Sequence, residues 1–168
     1  MAAGATYEPI ATTTLGSAAA SYTFSSISGA YTDLVLIANA TTASIDNLVI
    51  NFNGDVASNY SWTTLGGNGT AASSHRGTST DLPYTQYQSG VNTTPNLVQI
   101  NIMNYSNATT YKTAICSGSH DYNGTGGVDA TVVMWRSTAA ITSVTILTRG
   151  AVNLATGSKF TLYGIKAA

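Results

Sequence analysis

Few side chains in this sequence could do chemistry. The histidines are His75, in "SSHRG", and His120, in "GSHDY". A hydrolase triad needs a nucleophile, a base and a group that orients the base. Neither histidine has a nucleophile elbow beside it, and no G-x-S-x-G occurs. His120 and Asp121 are neighbours and could act as an acid–base pair, although a polar loop is the plainer reading. Glycoside hydrolysis needs two carboxylates across the scissile bond. The single glutamate, Glu8, lies in the N-terminal stretch. Asp46, Asp55, Asp81, Asp121 and Asp129 fall mostly where turns are expected, and there carboxylates cap and close loops.

Metal chemistry is equally thin. One cysteine and two separated histidines cannot supply a zinc cluster. "FNGD" and "DYNGTGGVD" offer oxygens to calcium but do not follow the twelve-residue loop, so both read as turns. Cys116, in "KTAICSGS", excludes an intrachain disulfide and reads as the buried thiol of a strand rather than a reactive one. No catalytic residue, metal or cofactor is therefore expected. The aromatics remain. Tyr60, Trp62, Tyr84 and Tyr87 fall in or beside a long polar segment, where they could stack on sugar rings or on a partner subunit. The competing reading packs Trp62 and Trp135 into the core.

The elements that must position these residues are strands. "DLVLIANA" is almost continuously apolar. "NLVINFN" sets Leu48, Ile50 and Phe52 against Asn47, Val49 and Asn51, and "NLVQINIMN" sets Val98, Ile100 and Ile102 against Gln99 and Asn101. "DATVVMWRS", "ITSVTILTRG" and "KFTLYGIKA" are also rich in β-formers, and two weaker strands open the chain near "YEPIATTTL" and "SYTFSSI". Asn53-Gly54 is a strong turn signal. Thr64 to Asp81 and Ser119 to Asp129 read as polar, Gly-rich connections, and "NYSNATTY" as a loop that ends a strand. No sustained helical period appears. The pattern predicts an all-β, antiparallel β-sandwich of about 8–10 strands, jelly-roll-like, forming one domain over residues 1–168 with residues 1–17 as an N-terminal arm.

Composition narrows the class. Of 168 residues 43 % are hydrophobic but only 8 % charged, so Ser, Thr, Asn, Gly and Tyr must build the polar surface. Six Lys and Arg, spread along the chain, form no basic patch, which argues against nucleic acid. No basic amphipathic stretch, signal sequence or long apolar run argues for a membrane or for secretion, and the chain is expected to be soluble. Asn-x-Ser/Thr sequons recur, as chance predicts in so Asn-, Ser- and Thr-rich a chain.

Five strings occur in a set order: "YEPIATTTLGSAAASYTFSSISGAYTDLVLI", "FNGDVASNYSWTTLGGNG", "IMNYSNATTYKT", "WRSTAAITSVTI" and "GSKFTLYGIKAA". Together they resemble a family of small virion structural proteins of tailed phages, especially aquatic ones such as cyanophages, from Tyr7 to Ala168. The resemblance implies a non-enzymatic virion protein, made in the host cytoplasm and carried on the particle. With no shaft, repeat or coiled-coil heptad, a capsid decoration (cement) protein is expected. It would bind the major capsid protein, associate with itself as a homotrimer, and use Met1 to Ser17 as a capsid-facing arm. The alternative is a receptor-binding or tail-fibre tip module that recognises host glycan. Ala71 to Pro95 carries none of the motifs and is expected to be a variable surface loop, with Gly66 to Pro95 facing solvent or a neighbouring subunit.

Overall fold

The structure, a computed structural model, describes residues 6–88, 90–121 and 126–166. They form β-strands and no helix: β1 (Tyr7–Thr14), β2 (Ser21–Phe24), β3 (Asp33–Ala40), β4 (Leu48–Phe52), β5 (Tyr60–Gly67), β6 (Ala72–Thr80), β7 (Asn96–Met103), β8 (Lys112–Asp121), β9 (Gly126–Trp135), β10 (Val144–Thr148) and β11 (Lys159–Ile165). Two antiparallel sheets result, an eight-stranded one ordered β1-β11-β3-β7-β8-β9-β5-β6 and a three-stranded one ordered β2-β10-β4. The all-β sandwich expected from the alternation is present, with eleven strands rather than 8–10. The division is eight against three, and this order does not establish a jelly-roll winding.

The alternation sets which face is inside. Val98, Ile100 and Ile102 of β7 are buried, and so are Ala114 and Cys116 of β8, while Leu97, Gln99, Ile115 and Ser117 point outward. β4 is buried along its whole length. It lies beside β10 on one edge, and on the other Val49 bridges Tyr84. Aromatic rings join the sheets: Tyr22 of β2 stacks on Phe160 of β11 at 5.8 Å, and Phe52 of β4 lies 5.7 Å from Trp135 of β9. Trp135 is therefore a core residue. Cys116 is fully buried, and burial pushes its thiol up to about 12, which leaves it protonated and unreactive.

Turn chemistry is as local as the sequence implied. Asn53 and Gly54 both have positive φ, and Asp55 N–H donates to the Phe52 carbonyl at 2.9 Å. This is the left-handed pair that an Asn-Gly dipeptide adopts at low cost. Here it carries the chain from β4 in one sheet to β5 in the other rather than closing a hairpin. The loop after β7 is held by Asn107, whose Oδ1 accepts from Thr109 N–H at 2.6 Å and Thr110 N–H at 2.9 Å. Tyr105 in that loop is buried, and its hydroxyl donates to the Ser28 carbonyl.

Three expectations need correction. The N-terminal stretch is no free arm: Tyr7–Thr14 pairs with β11, Ile10 and Ala11 pack on the core, and Leu15 is buried. Pro9 sits at a bulge between Pro9 and Ala11, where its missing N–H is tolerated on an edge strand. Residues 1–5 lie outside the described residues. Thr64 to Asp81 is not a loop but the β5–β6 hairpin, paired from Tyr60↔Thr80 to Gly67↔Ala72. Ser119 to Asp129 is mostly the continuation of β8 and β9, with 122–125 outside the described residues.

Because Tyr7–Thr14 is part of the sheet, deleting residues 1–14 is expected to destabilise the fold. The half-buried Ile10 alone is worth about 1–2 kcal/mol. Thermal unfolding of the truncated chain should show a lower midpoint; a dispensable arm would leave it unchanged.

Candidate functional site

The three-stranded sheet is too narrow to cover the inner face of the eight-stranded one. Residues 81–88 and 90–91 supply the missing cover, folding back beneath β5 and β6 as a strap. Thr85 donates to the Leu48 carbonyl from both its N–H (3.0 Å) and its hydroxyl (2.9 Å). Asp46 and Val91 exchange backbone hydrogen bonds at 2.9 and 2.6 Å. The strap thus continues the small sheet beyond β4. Pro83, Thr85, Gln86, Gly90 and Val91 are buried, so Ala71 to Pro95 is not a surface loop. At its start Arg149 pairs with Asp81 at 2.7 Å, which holds the Asp81 carboxyl below the usual range.

This strap decides the fate of the four aromatics. Tyr60 is completely buried; its hydroxyl accepts from Phe52 N–H at 3.0 Å and donates to the Asp55 carbonyl at 3.1 Å, and burial pushes its pKa well up. Trp62 is 6 % exposed, with Tyr87 stacked on it at 5.3 Å and Tyr84 edge-on at 4.9 Å. His75 lies 4.5 Å from Tyr87. Trp62, Tyr84 and Tyr87 do meet, as their shared segment suggested, but Trp62 offers no open ring face and Tyr60 no surface. The physical reason is strand parity: both are inward positions of β5. Tyr84 and Tyr87 keep part of their surface exposed.

Next to this aromatic latch the interior turns polar. Inward positions toward one end of the large sheet are Asn96 on β7, His120 on β8, Asp129 and Thr131 on β9 and Thr64 on β5, all buried. The Asp129 carboxylate accepts from Thr64 Oγ1 at 3.2 Å and from the strap's Gln88 N–H at 3.0 Å. Thr131 Oγ1 donates to Thr64 Oγ1 at 2.8 Å. Gln88 Nε2 reaches Ser73 and lies 3.3 Å from His75 Nε2. Glycines in the strands make room for these polar groups. A Cβ on Gly118 would stand 2.8 Å from Gln86 Oε1, one on Gly66 would stand 2.8 Å from Asp129 Oδ1, and one on Gly127 would meet the His120 ring. Asp129 is not the turn residue that the sequence suggests; it is buried and anchors the strap. An acidic residue inside a run of β-formers, "DATVVMW", is the available signal.

His120 and Asp121 cannot work as a pair. They are successive residues of β8, so His120 points inward and is buried while Asp121 points outward and is exposed. His75 stands on β6, separated from β8 by β5 and β9. Among the described residues no group of three or more His, Cys, Asp or Glu gathers to hold a metal.

The opposite face of the large sheet is the reverse of the polar interior. Leu65, Val128, Met103, Leu97, Val132 and Ile115, all on β5, β7, β8 or β9, are 46–63 % exposed. Ser, Thr, Gln, Asn and Ala stand between them. The centre of this face is uncharged, and exposed apolar side chains grouped on one face are a feature of interaction surfaces.

Two outcomes test the interior. Gly118→Ala should cost about 1–3 kcal/mol through overpacking against Gln86. In a Gln86→Ala background the same change should cost much less, as a double-mutant cycle by denaturant unfolding would reveal. The second concerns pH. Burial holds the His120 imidazole below its ordinary 6.5, against the pull of Asp129 and Asp121. The unfolded chain therefore takes up this proton at higher pH than the folded one. The stabilisation is complete above about pH 6.5 and is lost as pH falls through the folded value. Unfolding free energies between pH 7.5 and 5 should fall accordingly (roughly the window set by the ordinary histidine value), and His120→Gln should flatten that slope.

Comparison of the chain with protein-family models, with curated proteins and with solved structures found no match in any of the three.

Proposed function

We propose that this protein is a non-enzymatic structural component of a phage virion. In this reading it is a decoration (cement) protein that coats the outer shell, binds the major capsid protein and associates with itself as a homotrimer. The observation that carries the reading is the broad outer face of the eight-stranded sheet, uncharged at its centre, where Leu65, Ile115 and Val132 stand exposed among hydroxyl and amide side chains. Such a face suits contact with protein rather than with a small substrate. The residues that could have done chemistry are used structurally: Asp129 ties down the strap, and His120 and Cys116 are buried. The ordered motifs that resemble aquatic-phage virion proteins supply the setting.

Low charge supports the same reading. Exposed ion pairs weaken with salt, whereas neutral hydrogen bonds and apolar contacts do so far less. A particle that persists in salt water benefits from contacts of the second kind. The receptor-binding or fibre-tip alternative relies on aromatics that stack on host glycan. Of Tyr60, Trp62, Tyr84 and Tyr87, only Tyr84 and Tyr87 retain exposure.

Electron cryomicroscopy of the intact particle tests the proposal. Density for this fold repeated over the capsid lattice, in register with the shell protein, is the expected result. Density confined to the tail would overturn it in favour of host recognition.

A further inference from the structure

We infer that the outer face of the eight-stranded sheet is covered by other copies of this same chain. The inference deepens the assembly reading above, because it rests on that face being a contact surface and names its occupant.

Outward positions at the centre of the face are Leu97, Gln99, Asn101 and Met103 on β7; Thr113, Ile115, Ser117 and Ser119 on β8; Val128, Ala130, Val132 and Met134 on β9; and Ser61, Thr63 and Leu65 on β5. None is charged. Charge enters at the margins, with Asp33 at the start of β3, Lys159 at the start of β11, Asp121 at the end of β8 and Arg76 on the edge strand β6. A surface selected to meet a foreign partner commonly carries charges complementary to that partner, which steer encounter and exclude others. Two copies of a face carrying charge of one sign would repel each other; the centre of this face has no charge to do so.

The relief of the face is also complementary to itself. Ile115 pairs directly with Val132, forming a raised row across β8 and β9. The next outward row on the same two strands is Ser117 and Ala130, which is low. Ridge and trough therefore lie side by side, and the ridge of one copy can enter the trough of its neighbour. Packing of this kind gives an interface the density of a protein interior.

Size agrees. The four central strands β7-β8-β9-β5, at ~4.8 Å spacing and about eight residues at ~3.4 Å rise, span ~19 by ~27 Å, or roughly 500 Å², and the flanking β3 and β6, which bring Asp33 and Arg76 to the rim, extend the face to roughly 800 Å². That equals the roughly 800 Å² per partner of a stable specific interface. Closed symmetric assemblies of identical subunits are the common outcome of such a surface.

The test is the mass of the isolated full chain. Sedimentation velocity at tens of micromolar (roughly the range in which a micromolar interface is saturated) should show a closed oligomer of the 17.3 kDa chain. Ile115→Lys/Val132→Lys, two exposed positions that keep the core intact, should shift the species to monomer mass with an unchanged circular dichroism spectrum. Ser117→Arg, which fills the trough without touching the ridge, should do the same if the double variant does not fold. Ile45→Lys/Val56→Lys changes two side chains that are more exposed still, at 59 % and 61 %, but lie outside the strands of this sheet, and should leave the oligomer intact. A wild-type monomer, or face variants that retain the wild-type mass, would overturn the inference. A monomer that still decorates the shell would sink it while leaving the decoration reading standing. An oligomer whose density is confined to the tail would do the opposite.

Discussion

The structure depends on one mismatch of area. Eight strands present an inner face that three opposing strands cannot cover, and a bare apolar sheet face in water is not stable. Residues 81–88 and 90–91 close the gap, and they do so through Asp129 and Leu48. The Asp129 carboxylate takes the Gln88 N–H from inside the large sheet, and the Leu48 carbonyl takes two donors from Thr85 on the edge of the small one. Hydrogen bonds to a charged acceptor are worth about 1.5–3 kcal/mol, more than neutral ones. The strap is thereby held at both sheets, and Trp62, Tyr84 and Tyr87 fill the space that it encloses.

Covering a sheet with a strap rather than with a second full sheet has a chemical consequence. A strap has few backbone partners of its own, so side chains must satisfy it, and the interior beneath it becomes polar. Thr64, Thr131, Asp129 and Gln88 form that interior, and Gly66, Gly118 and Gly127 give it room in the strands. The usual distribution is then partly inverted. Residues of the kind that carry chemistry lie inside, while Leu65, Ile115, Val128 and Val132 face outward. The polar residues of the inside are engaged in holding the strap, and the outside exposes apolar side chains among neutral polar ones.

Legibility in the sequence differs from residue to residue. Val98, Ile100 and Ile102 announce their strand because period-two alternation of large apolar residues fits a half-buried strand and no helix. Asn53-Gly54 announces its turn because two successive left-handed conformations suit that dipeptide better than almost any pair of residues. β6 does not announce itself. Its inward residues are Ser73, His75 and Gly77, which face a polar strap and Trp62 rather than a hydrophobic core, so the apolar alternation that marks strands such as β7 is missing. Tyr60 and Trp62 read as the border of a loop for the same reason, since the hairpin partner that makes β5 an interior strand leaves no local trace.

The sequence by itself determined that the chain is all-β, where most strands and the tight turns lie, and that Cys116 would be buried. These follow from side-chain period and backbone preference, which act within a few residues. The tertiary structure alone decided which polar residues go inside, that Asp129 anchors a strap, that Tyr7–Thr14 closes the sheet beside β11, and that the outer face mixes apolar and neutral polar side chains at its centre. Each of these depends on partners tens of residues away, such as Glu8 with Lys166 or Thr64 with Asp129. Burial at such positions is a property of the pairing, and no local pattern encodes it.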